Sequence, residues 1–184
     1  ALQGVQGRLT VYAMPSRRPE FLDSLLTTLD ELKSSCVTGA QLAQIGEETE
    51  GLDGEKLRDL GLIFGAYEAM TARGPLDPRD RLTRLAEALR SCPFFRGKDV
   101  YLDGFTDFTP QQSLVLEEIL RQAHTVTLAL TCGEGEGAVF APARRTVAQL
   151  KRLAARVGCP VGEEALPGAA QGRTQPLAWL EAHL

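Results

Sequence analysis

The chain has 184 residues, 43% apolar and 24% charged, proportions that fit one or two soluble globular domains. Its 20 basic and 24 acidic residues leave a net charge of −4, which excludes a wholly basic nucleic-acid coat and leaves room for a local basic face. The longest nearly continuous apolar run, residues 125–132, falls well short of the roughly 20 that a bilayer span needs, so no transmembrane helix is expected. Four cysteines stand far apart at Cys36, Cys92, Cys132 and Cys159, with no C-x-x-C pair. They read as reduced, mostly buried thiols of a cytoplasmic protein rather than as a disulfide scaffold. The opening ALQGVQGRLTVYAM has neither a basic n-region nor a long apolar h-region, so no signal peptide is expected. It also lacks an initiator methionine, and the last residues, PLAWLEAHL, look helical, so the chain reads as a piece of a longer protein.

Residues 8–13, RLTVYA, are apolar and β-branched and predict a short strand. Residues 19–35 predict a helix with Phe21, Leu22, Leu25, Leu26, Leu29 and Leu32 on one side. A short helical turn is expected over 38–44. The acidic, glycine-bearing stretch 47–53 reads as a loop, and Asp53 as the N-cap of a helix running to about Arg73. Gly61 and Gly65 lie four apart inside that helix, where each costs about 1 kcal/mol relative to alanine, so they mark either a close helix contact or a bend. Asp77-Pro78 opens another helix, with the stripe Leu82, Leu85 and Leu89, and Pro93 closes it.

The rhythm then changes. Residues 99–103, DVYLD, predict a strand ending in a carboxylate. Thr109-Pro110-Gln111-Gln112 is a helix start with a capping box, and residues 124–131 predict a second strand. Strand, helix and strand in about 30 residues make a βαβ unit with a parallel sheet. The acidic glycine run 133–137 reads as a loop. A helix is expected over 143–157, with Gly158 as its C-terminal stop, followed by a possible third strand at 159–161, a loop over 162–173 and a last helix holding Trp179. The fold class is thus α/β and helix-rich: a mainly helical subdomain over 1–95 and a small parallel α/β subdomain over 96–184.

Two features carry chemistry. Asp103 stands at the carboxyl tip of a strand, where α/β proteins place ligand groups and where nucleotide hydrolases hold Mg²⁺. Gly104 takes the place of the acidic neighbour that would prepare water, and no G-x-x-x-x-G-K-[ST] occurs anywhere, so the pair Asp103 and Gly104 is at most a degenerate version of that site. A strand-end carboxylate bonded to its own turn is the competing reading. The second feature is the helix from Arg144. Arg144, Arg145, Lys151, Arg152 and Arg156 fall on one arc without acidic companions, opposite Val147, Leu150, Leu153, Ala154 and Val157. Such a face suits single-stranded DNA, and equally a solvated surface or a partner dock. Arg79, Arg81, Arg84, Arg90, Arg96 and Lys98 form a weaker cluster diluted by acids, read as solvated surface. Phe105 and Phe108 flank the loop after Asp103 and either stack on bases or seal a strand–helix junction. His124 and His183 match no zinc spacing, and no catalytic Ser or Cys arrangement is arguable.

The stretch YLDGFTDFTPQQ, followed by a helix and TVTLALT, resembles the B subunits of AddAB (RexAB) helicase–nucleases, which show a strand, then D-G-F, then an F-T-P-Q helix start. FLDSLLTTLDELKSS resembles the E-L-K helix of superfamily-1 helicases. LRDLGLIFGAYEAMTARGPLDPRDRL, TVAQLKRLAARVG and PLAWLEAHL resemble further B-subunit segments in the same order. The resemblance spans nearly the whole chain, and its specific motif is DGFTDFTPQ. It implies that 1–95 and 96–184 are parts of the 1B-like and 1A-like regions of a helicase core, here an internal fragment. It implies a parent that processes DNA double-strand breaks for recombinational repair, with an A subunit and single-stranded DNA as partners. Gly104 in place of the Walker B glutamate implies a core that does not drive translocation. ATP with Mg²⁺ and an iron–sulfur cluster belong, by the same resemblance, to other parts of the parent, and four scattered cysteines match no cluster site. The expected role of this piece is a DNA-guiding, subunit-contacting scaffold without catalytic residues or metal. A nucleotide-hydrolase core using Asp103 for Mg²⁺ and a pure protein-interaction module are the alternatives.

Overall fold

The structure, a computed structural model, describes residues 1–74, 76–132, 138–165 and 179. Its helices are α1 (Leu2–Val5), α2 (Pro19–Ser34), α3 (Gly39–Glu48), α4 (Gly51–Thr71), α5 (Arg81–Ser91), α6 (Pro110–Gln122) and α7 (Ala141–Val157), and its strands are β1 (Asp99–Leu102) and β2 (Thr125–Leu128). The class is α/β and helix-rich. The chain forms two compact units: Ala1–Ser91 with Thr109–Val115, and Cys92–Phe108 with the residues from Leu116 onward.

The first unit is helical. Pro19 sits in the first turn of α2, where its missing N–H costs nothing. Leu25 and Leu29 bury against Ile63 and Phe64 of α4, together with Val5, Leu9 and Leu42. Full burial of each such side chain contributes roughly 1.5–3 kcal/mol. Leu22 and Leu26, expected on the same stripe, stay 44% and 45% exposed, so the buried face is narrower than the apolar one. In α5, Ala86 and Leu89 are buried while Leu85 is exposed.

Three local expectations are corrected. Residues 8–13 are not a strand: Thr10 N–H donates to both oxygens of Asp59 at 3.0 Å, and Tyr12 N–H donates to one at 2.9 Å. A carboxylate 1% exposed needs such donors, and a strand would have spent them on a ladder. The turn at 38–44 is a ten-residue helix, started by a capping box in which Gln41 N–H donates to Thr38 Oγ1 and Thr38 N–H to Gln41 Oε1. The expected loop 47–53 shrinks to Thr49 and Glu50, and Asp53 lies inside the first turn of α4 rather than at its cap.

That short link lets α3 and α4 pack backbone to backbone. A Cβ at Gly39 would stand 2.5 Å from Gly65 N, one at Gly61 2.8 Å from Ala43 N, and one at Gly46 2.8 Å from Arg58 N. Arg58 adds a hydrogen bond from Nη1 to Gly46 O at 2.6 Å. The glycines therefore mark a close helix contact.

A buried charge network closes the same unit. Lys33 Nζ lies 2.6 Å from Asp80 Oδ1 and 3.3 Å from Asp77 Oδ2, and Tyr67 donates its hydroxyl to Asp77 at 2.7 Å. Burial pushes the Asp77 carboxyl up, but hydrogen bonds from Tyr67, the Arg79 N–H and Lys33 outweigh it and hold its pKa below the ordinary value. Burial and the same Asp77 contact raise the Tyr67 phenol.

The second unit holds both strands of the βαβ element and the part of α6 from Leu116 onward. β1 and β2 pair in parallel, Asp99 opposite Thr125 and Leu102 opposite Leu128. Leu102, Val126 and Leu128 pack on a core of Phe108, Leu116 and Leu153, while Asp99, Tyr101, Thr125 and Thr127 point outward. The α6 cap forms as expected: Thr109 N–H donates to Gln112 Oε1 at 2.8 Å and Gln112 N–H to Thr109 Oγ1 at 3.2 Å. Gly158, at φ 73°, ends α7. Residues 159–161 are not a strand; Pro160 withholds a ladder donor, and no described strand lies beside them. The glycine run 133–137, the segment 166–173 and the last helix apart from Trp179 lie outside the described residues. Among the cysteines the burial expectation fails: Cys36, Cys92 and Cys132 are exposed and only Cys159 is half-buried, because each stands at or beyond the end of an element rather than on a core face.

Candidate nucleic-acid interface

The basic arc of α7 forms on a helix that is fixed from behind. Leu153 is 3% exposed and packs with Leu150 in the core of the second unit. Thr146, buried at mid-helix, donates its hydroxyl to Thr106 O at 3.0 Å, which ties α7 to the loop after Asp103. With this inner face anchored, Arg145, Lys151, Arg152 and Arg156 emerge on the exposed side. Arg144 is half-buried and engaged.

The expectation that these cations lack acidic companions is corrected. Lys151 pairs with Glu163, and Arg156 Nη2 lies 3.2 Å from Glu117 Oε2 on α6. Both acids lie off the helix, Glu117 39 residues away in sequence and Glu163 beyond the end of α7, so a count of charges along the helix misses them. Arg145 and Arg152 make no ion pair among the described residues. Exposed pairs contribute about 0–1 kcal/mol, so Lys151 and Arg156 are held only weakly by these carboxylates.

Phe105 and Phe108 stack on each other, with centroids 4.8 Å apart and planes at 15°. Phe108 is 7% exposed and belongs to the core with Leu116 and Leu153. The aromatic pair therefore sits on the inner, leucine side of α7, away from the basic arc. Phe108, read as a base-stacking candidate, is a core residue here, because its ring is buried with Leu116 and Leu153.

Asp103 follows β1 directly, and its Oδ1 accepts the Gly104 N–H at 2.8 Å, with Gly104 at φ 79° in the left-handed region. One of its oxygens is thus spent on its own turn. No group of three or more His, Cys, Asp or Glu converges among the described residues. This donor set does not by itself complete a Mg–nucleotide site, and the dispersed cysteines do not fit an iron–sulfur cluster. No described helix is long and apolar enough to cross a membrane.

Comparison with known proteins accounts for nearly the whole chain. A family model described as ADDB, N-terminal, matches residues 1–181. The B subunit of the ATP-dependent helicase/deoxyribonuclease of Anoxybacillus flavithermus is 32% identical over 190 residues, covering 96% of this chain and 16% of that protein. The protein of the same name from Moorella thermoacetica is 35% identical over 191 residues, covering 95% of this chain and 17% of its own length. That from Acetivibrio thermocellus is 29% identical over 167 residues. The chain thus spans 16–17% of the first two relatives. On the strength of these matches, the chain belongs to the AddB N-terminal family.

Proposed function

We propose that this chain is the N-terminal part of the B subunit of an ATP-dependent helicase/deoxyribonuclease, where it guides single-stranded DNA and contacts the A subunit without performing chemistry itself. In this reading the parent processes DNA double-strand breaks for recombinational repair in the cytoplasm, and the helicase-like sheet continues beyond the two described strands. The single observation that carries the DNA role is the outward arc of α7, where Arg145 and Arg152 stand without carboxylate partners among the described residues beside the weakly paired Lys151 and Arg156. A phosphate chain meeting this arc releases counterions at each contact, which gives affinity without base specificity. Asp103 and Gly104 act as a turn and not as a metal ligand pair, which favours a scaffold over a hydrolase.

Fluorescence anisotropy of a labelled single-stranded oligonucleotide, titrated with the chain at several salt concentrations, tests this. Binding that weakens steeply with salt and disappears in Arg145→Glu/Arg152→Glu is the expected result. Binding unchanged in that variant refutes the assignment to α7. Absence of binding at low salt, together with capture of the A subunit, favours the protein-interaction reading instead.

A further inference from the structure

The second unit carries one well-exposed phenylalanine, and it is not in the D-G-F segment. Phe94 is 58% exposed in the loop between Ser91 and β1. Lys98 places Nζ 3.6 Å from the Phe94 ring centroid, and Phe95 meets the ring edge-to-face with centroids 5.0 Å apart.

The loop that presents this ring is rigidly built. Arg96 N–H donates to Pro93 O at 3.2 Å and Lys98 N–H to Phe95 O at 3.0 Å, two overlapping turns. Gly97, at φ 70°, occupies the third position of the second turn, where a left-handed backbone is required. Phe95 N–H donates to Gln122 Oε1 at 3.2 Å, and His124 N–H to Lys98 O at 2.8 Å, which fasten the loop to the end of α6 and the start of β2. Residues 92–98, CPFFRGK, hold two cations and no acid. Arg96 is exposed and makes no ion pair among the described residues. The nearest carboxylate in sequence, Asp99, accepts a hydrogen bond from the Thr125 hydroxyl.

We propose that Phe94, with Lys98 and Arg96, is a stacking platform for one base of a single-stranded DNA, with the two cations on the flanking phosphates. The inference rests on the single-stranded DNA reading and adds a base-contacting site to it. An exposed ring stabilises any base by stacking, because every base presents a π-face. Lys98 lies over one face of the ring in the free protein. An incoming base displaces the ammonium, and the nucleotide's own phosphate receives it. Cation–π contact and phosphate pairing are comparable in strength at an exposed site, so the exchange costs little. Tyr101 is more exposed, at 74%, but shares its sheet face with Asp99, whose charge repels a phosphate chain. Phe105 and Phe108 are stacked on each other.

The test uses the whole chain, a labelled oligo(dT) and an oligomer of equal length made entirely of abasic sites. The wild type is expected to bind oligo(dT) more tightly than the abasic strand. Phe94→Ala is expected to weaken oligo(dT) binding by roughly 5- to 150-fold, the range for loss of one stacked base, and to leave abasic binding unchanged. Phe94→Trp in a Trp179→Phe background restores affinity, and its fluorescence is quenched by oligo(dT) and not by the abasic strand. The exposure of the ring makes Phe94→Ala safe for the fold, which circular dichroism verifies. Equal oligo(dT) affinity of Phe94→Ala and wild type overturns the platform, and if Arg145→Glu/Arg152→Glu still abolishes binding, the α7 reading survives that failure. Wild type binding to neither strand overturns both.

Discussion

Replacing Gly61 by alanine is expected to destabilise the first unit, whereas the same change four residues on, at Gly65, is expected to stabilise it. Both sit inside α4, where alanine gains about 1 kcal/mol of helix propensity over glycine. The surroundings decide the sign. A Cβ at Gly61 would lie 2.8 Å from Ala43 N and 2.9 Å from Gly39 O, and both are backbone atoms of α3 that no rotamer change can move. The helices must separate, and overpacking of this kind costs about 1–3 kcal/mol. A Cβ at Gly65 meets nothing within 4 Å, so the propensity gain stands alone. The propensity gain is common to both, so the two variants should differ by the packing cost, about 2 kcal/mol, which for a unit of this size is roughly 8–16 °C in Tm. Thermal unfolding followed by circular dichroism measures it, with each transition fitted separately because two units need not unfold together. A Gly61→Ala protein as stable as Gly65→Ala would refute backbone-to-backbone packing of α3 on α4.

Two further outcomes follow from the first unit. Cys36 follows α2 at φ 56°, with Val37 N–H bonded to Leu32 O and Cys36 N–H to Lys33 O, a Schellman end that glycine normally fills. Cys36→Gly should stabilise by about 0.5–1 kcal/mol in denaturant unfolding, the relief of left-handed strain less the extra freedom of the unfolded chain. Asp77→Asn should destabilise by about 3 kcal/mol at neutral pH, because it breaks a buried ion pair around Lys33. The pH dependence follows from the lowered Asp77 pKa. Its contribution is full above the unfolded carboxylate range and is lost as pH falls through the folded value. Unfolding measured downward from about pH 4 should therefore show a steeper loss for wild type than for Asp77→Asn.

What was legible in the sequence is local. The starts at Pro19 and Thr109, the stop at Gly158 and the βαβ order are written in caps and short-range patterns, and they form as read. What was missed depends on partners far along the chain. Residues 8–13 pattern as a strand, but the nearest unmet acceptor is Asp59, 47 to 49 residues away. An acidic residue four before Ile63 on the apolar side of α4 was the available signal for that buried carboxylate. The glycines of α3 and α4 were visible singly, and only their pairing across two helices explains them. The α7 cations were legible as an arc, while Glu117 and Glu163 reach them only through folding.

The salt dependence of single-stranded DNA binding tests the central claim most directly. Arg145→Gln/Arg152→Gln should lower the slope of log affinity against log salt by about 1.4, at about 0.7 per single-strand phosphate contact. Arg17→Gln/Arg18→Gln, an equal charge change on exposed residues of the first unit, should leave the slope where it was. Equal losses in the two variants would mean that the chain binds DNA by diffuse charge alone and would contradict the placement of the contacts on α7.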